Sequence, residues 1–167
     1  MNHELERFAA AMKVDDPASE PLRLAFGLAC VERVEHLLED PRAIECLAIL
    51  AAFVAGNATR SDLAAASKTI AAVANAHRGS NSIDGAAHAA VSATYAAANA
   101  LAGRALDAAS YAAYASVYAY GGYAVNDPSA FENEFAWQVG KAAELTRLPA
   151  ARGPDPGGSP GPHATAA

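Results

Sequence analysis

Two consecutive stretches of this chain carry alanine at helical spacing, and they limit what it can fold into. Ala86, Ala90, Ala93, Ala97 and Ala100 step by four and three, and Ala105, Ala108, Ala112, Ala115 and Ala119 step by three and four. Each series marks one helix face on which nothing is larger than a methyl group. Gly103 stands between them and supplies the turn. Two such helices can pack with their axes at the close end of the usual range of about 8–10 Å. The wider composition agrees, with 46 alanines among 167 residues and aromatics at only 7%. Alanine is the best helix former, and few β-branched residues leave little to build a sheet from. The expected fold is all-α, with about five or six helices in antiparallel hairpins and the Ala-rich pair at the centre.

Punctuation along the chain sets the remaining helices. A first helix or arm falls within residues 1–18, ending before Asp15-Asp16-Pro17. Ser19-Glu20-Pro21 opens a second helix that the spacing of Leu22, Phe26, Cys30, Val34 and Leu37 carries to about Glu39. Asp40-Pro41 is a cap-and-proline start, and Ile44, Leu47, Ala51 and Val54 form the next inward stripe up to Gly56. Thr59 or Ser61 caps a helix with Leu63, Ala66, Ile70, Val73 and His77 on one face, ended by Arg78-Gly79-Ser80. The Ala-rich pair follows, from about Ile83 to Ala102 and from Ala105 to Tyr120, the latter closed by Gly121-Gly122. Asp127-Pro128 opens a last helix reaching about Leu148, so one helical domain covers residues 19–148. Residues 149–167 turn to Pro, Gly and Ala and are expected to be disordered.

A net charge of −6 argues against a nucleic-acid partner, which calls for a basic face. The apolar run from Cys46 to Gly56 is about half of the roughly 20 residues a membrane span needs. Residues 86–103 are long enough but mostly alanine, too weakly hydrophobic to favour insertion. The N-terminus has neither the basic start nor the apolar core of a signal peptide. A soluble, cytoplasmic protein without a membrane partner is expected. Cys30 and Cys46 lie within apolar helical patterns and read as buried, reduced thiols.

Catalytic and metal chemistry find little support. Di-iron bundles need a carboxylate three residues before a His, yet Arg33, Ala74 and Gly85 precede His36, His77 and His88. Glu32 and His36, four apart, could share a zinc ion, but no third ligand is identifiable. No nucleophile elbow or Gly-rich phosphate loop occurs. No catalytic residue, cofactor or metal site is therefore assigned, and the chain reads as a non-enzyme.

Two features suit a binding surface. Glu32, Glu35, Glu39, Asp40 and Glu45 gather carboxylates around the first hairpin, which would steer a basic partner or simply form a solvated face. Tyr111, Tyr114 and Tyr118 share one helix face, with Tyr120 and Tyr123 beyond. Such a stripe suits an interface, and equally suits packing beneath the last helix, which the neighbouring Ala seam slightly favours.

Ala29-Cys30-Val31-Glu32-Arg33-Val34, Asp40-Pro41-Arg42-Ala43-Ile44-Glu45 and the apolar run to Gly56 are joined by Leu63-Ala64-Ala65-Ala66 and Ala76-His77. Ala87-His88-Ala89, Ala108-Ala109-Ser110-Tyr111-Ala112 and Glu134-Phe135-Ala136-Trp137-Gln138 complete the pattern. In this order, over residues 24–148, the chain resembles the all-helical immunity proteins of bacterial polymorphic-toxin systems. The least generic parts are Cys-x-Glu-Arg, Pro-Arg-x-Ile-Glu and Trp-Gln. The resemblance implies a small non-catalytic protein that binds a cognate toxin and blocks it inside the producing cell. The alternatives are a scaffolding helical protein that self-associates as a homo-oligomer through Ala or Tyr faces, and a small metal-binding or enzymatic helical protein.

Overall fold

Three of the helix starts coincide with side chains that satisfy free backbone N–H groups of a first turn. The structure, a computed structural model, describes residues 2–77 and 86–147. Seven α-helices follow in order, with no strand among the described residues: α1 (His3–Ala11), α2 (Glu20–Glu32), α3 (Pro41–Val54), α4 (Arg60–Ala76), α5 (Ala86–Leu101), α6 (Ala105–Tyr120) and α7 (Glu132–Arg147). The Asn2 side chain accepts from Leu5 N–H at the start of α1. Asp40 accepts from Arg42 N–H at the start of α3, with Pro41 in the first position. Thr59 and Asp62 form a reciprocal capping box on α4.

One helix end is less comfortable. Lys13, just past α1, sits at φ 51°, in the left-handed region that favours glycine. Lys13 N–H reaches Ala10 O and Val14 N–H reaches Ala9 O, the paired bonds of a helix closed by a left-handed residue. Lys13→Gly is therefore expected to stabilise the fold by about 0.5–1 kcal/mol, read by denaturant melting. A loss of stability would show that the Lys13 side chain contributes more than its backbone strain removes.

The Ala-rich hairpin is at the centre, as the spacing predicts. Ala93, Ala97 and Ala100 of α5 and Ala108, Ala112 and Ala115 of α6 are fully buried. Helix α5 also meets α2 and α4, so it is covered on more sides than the single seam with α6. At Gly27 of α2, an added Cβ would stand 3.1 Å from both Cα and Cβ of Ala100, so even a methyl group there would require Ala100 to give way by a few tenths of an ångström. Larger side chains fill the periphery of this core, with Leu50, Ile70, Val31 and Val34 fully buried.

Three details depart from the sequence reading. The second helix stops at Glu32 rather than continuing to Glu39. Val34 N–H bonds to Val31 O, and a 3₁₀ turn over Glu35–Leu37 follows. This tighter turn brings both Val34 and Leu38 inward while Glu35, His36 and Glu39 stay outside. The inward face of α3 is Ala43, Cys46, Leu47 and Leu50, whereas Ile44 and Val54 are exposed. The last helix begins as a 3₁₀ turn over Pro128–Phe131, capped by Asp127, before becoming α-helical. The expected start of α5 near Ile83 and the expected disorder of residues 149–167 lie outside the described residues.

Helices α1 and α7 are joined by polar bonds. Asn2 Nδ2 donates to the Phe135 carbonyl at 3.0 Å and to Gln138 Oε1 at 3.1 Å. Gln138, fully buried, donates in turn to the Ala109 carbonyl at 2.8 Å. Helices α1, α7 and α6 are thereby locked together, and α1 adds Leu5 to the main core.

Candidate functional site

The antiparallel course of the helices brings the α2–α3 corner, the last turn of α4, the first turn of α5, the last turn of α6 and the start of α7 to one end of the bundle. Three adjoining clefts occupy that end. The largest, about 730 Å³, lies between the corner at Arg33, His36 and Leu37, the end of α6, and the approach to α7 at Ser129 and Asn133. A second, about 400 Å³, shares His36, Leu37, Ala119 and Tyr120 with the first and adds Glu39, Ala89, Ala90 and Tyr118. A third, about 390 Å³, lies between Glu39, Asp40 and Arg42 and the end of α4 at His77.

The acidic residues are distributed over this end in two electrical states. Asp40 is neutralised: Arg42 donates to it through Nε at 3.1 Å and Nη2 at 2.7 Å. The Arg42 hydrogen bonds hold the Asp40 carboxyl below the usual range for an aspartate. Glu32, Glu35, Glu39 and Glu45 are exposed. No hydrogen bond or ion pair reaches them among the described residues. Arg33, the other described arginine at this end, is also engaged. Arg33 donates Nε and Nη2 to Glu134 Oε2 at 2.9 and 2.8 Å, and its guanidinium lies 4.2 Å over the Trp137 ring. Among the described residues a local excess of negative charge remains, and it faces water.

The tyrosine stripe is a surface flank, not core. Tyr111 and Tyr114 are each 39% exposed. Tyr111 stacks on Tyr95 and Tyr118 on His88, both at 5.3 Å between centroids, while Tyr114 meets Phe131 edge-on. The last helix therefore borders the stripe without covering it. Of the three, only Tyr118 lines a cleft at the acidic end, opposite Glu39. Beyond it, Tyr120 and Tyr123 are 83% and 80% exposed. Gly121, at φ 139°, makes this possible, because a Cβ there would stand 2.8 Å from the Tyr123 ring.

Among the described residues no three His, Cys, Asp or Glu side chains converge as metal ligands. Glu32 and His36 are no longer one helical turn apart, since α2 ends between them. Both cysteines are buried and free. Burial pushes the Cys30 thiol far above its ordinary range, with the Glu134 carboxylate adding to it. Burial also raises Cys46, so neither is a ready thiolate nucleophile. No described helix is long and apolar enough to cross a membrane.

The Arg33–Glu134 pair and the Asn2–Gln138–Ala109 chain were not foreseen. Their sequence signal was present: Glu134 and Gln138 are buried one turn apart on α7, sharing its inward side with Ala142. Polar residues on an inward helix face require partners. No protein-family model, curated protein or solved structure matches the chain.

Proposed function

We propose that this protein is an immunity protein, which neutralises a cognate bacterial toxin by covering its working surface without catalysis. The observation that supports the reading is the composition of one bundle end. Unneutralised Glu32, Glu35, Glu39 and Glu45 stand beside exposed Tyr120 and Tyr123 on a framework of tightly packed helices. Toxins that act on nucleic acids carry basic active sites, and such an end offers charge and aromatic area complementary to them. Rigid scaffolds lose little freedom on binding, so the contact energy is realised as affinity.

The deciding experiment is protection. A toxin domain encoded beside this protein should arrest growth when expressed alone and should not when this chain is co-expressed. Continued arrest would overturn the reading. Given a toxin that is neutralised, replacing Glu32, Glu35 and Glu39 by Gln keeps side-chain size and helix propensity. Association should then slow severalfold at low salt, with the difference shrinking as ionic strength rises. Unchanged association would place the interface away from this end.

A further inference from the structure

We infer that the 400 Å³ cleft between the α2–α3 corner and the last turn of α6 is a receptor for an arginine side chain presented by a basic partner protein. The inference rests on the reading above for its partner, and on the cleft's own chemistry for its ligand.

The lining of the cleft is part apolar and part polar. Leu37, Ala89, Ala90 and Ala119 supply methyl and methylene surface, matching the three-carbon stem of an arginine. Tyr118 and Tyr120 provide aromatic rings, and a guanidinium is the cation that stacks best on such a face. Tyr118 is backed by His88, stacked at 5.3 Å, whereas Tyr120 is 83% exposed. Glu39 also lines the cleft, exposed and with no ion pair or hydrogen bond among the described residues. Its carboxylate is free for the paired N–H bonds that a guanidinium offers.

The surrounding charges favour the same ligand. Among the described residues, His36 and Glu39 are the ionisable groups that line the cleft besides its tyrosines. Arg33 in the adjoining cleft is matched by Glu134, and Arg42 in the third is matched by Asp40, so neither repels an entering cation at full strength. Glu35, one residue before His36, extends the negative rim. A lysine would satisfy Glu39 but gain less from the tyrosines, and an acidic or neutral side chain would gain nothing from the rim.

The test titrates the full-length protein with the tripeptide acetyl-Gly-Arg-Gly-amide and follows chemical shifts. Shifts should gather on Leu37, Ala89, Ala90, Ala119 and Tyr120. The citrulline peptide, equal in shape but uncharged, should leave them unmoved, and the lysine peptide should bind more weakly than arginine. Glu39→Gln and Tyr120→Ala, both at exposed positions that leave the core intact, should each weaken binding about fivefold. Glu4→Gln on α1 should have no effect. Shifts spread over every exposed carboxylate, or equal responses to arginine and citrulline, would overturn the inference. A chain that protects against its toxin but shows no arginine-selective shifts docks that toxin elsewhere. Localised arginine binding without protection keeps the receptor and removes the toxin reading.

Discussion

Replacing Arg33 by Ala should destabilise the fold by about 2–4 kcal/mol, the scale for breaking a largely buried ion pair from one side. The effect comes from what is left behind. Glu134 is only 6% exposed on its side chain, and its hydrogen-bonded partner is Arg33. Removing the guanidinium strands a carboxylate inside the packing of α7 against α2. It also strips the cation from the Trp137 ring. Arg33 itself is 40% exposed, which keeps the effect toward the lower part of the range. Thermal melting should register a fall on the order of 10 °C. The double variant Arg33→Ala, Glu134→Leu should recover much of it, because an apolar residue at 134 needs no partner. A single-variant shift within about 2 °C would show that water reaches Glu134 and that the pair does not hold the helices.

Overpacking the seam should have the other large effect. Ala112→Leu and Ala93→Leu each add a branched side chain where relative exposure is zero. The surrounding atoms cannot retreat, since α5 is pressed by α6 on one side and by Gly27 of α2 on another. Each variant should lose about 1–3 kcal/mol, whereas Ala65→Leu on the exposed face of α4 should be nearly neutral. Denaturant midpoints of the three, compared at one temperature, decide the matter. A tolerated Leu at position 112 would mean that α5 and α6 can move apart.

The fold was legible where chemistry is local. Methyl-only stripes, Asp-Pro and Thr-x-x-Asp starts and glycine turns depend on neighbours three or four residues away, and they located the helices and their pairing. The stop at Glu32 was not legible, because the heptad-like run through Val34 and Leu37 reads as one continuous helix. What ends it is tertiary: Val34 and Leu38 both find space inward only after the turn tightens. The ion pair between Arg33 and Glu134 spans 101 residues, a separation that no local pattern encodes. Of the two binding features, the acidic cluster and the tyrosine stripe were each visible in the sequence. Their meeting at Glu39 and Tyr118 depended on how α6 ends beside the α2–α3 corner. Two of the segments behind the family resemblance, Cys-x-Glu-Arg and Glu-x-x-Trp-Gln, face each other through Arg33, Glu134 and Trp137. These residues hold α7 to α2.

The alanine seam also orders events in time. Alanine has no side-chain rotamers to lose, and only residues 102–104 separate α5 from α6, so bringing these helices together requires little ordering and a short loop closure. Contacts of this kind form early, ahead of those between distant parts of the chain. The bonds from Asn2 to Phe135 and Gln138 close loops of 133 and 136 residues and belong at the other extreme. Folding is thus expected to start from the hairpin in the middle of the chain and to finish when Asn2 and α1 meet α7. A growing chain released before α7 emerges would already hold its centre, with the inner side of α2 still open to water.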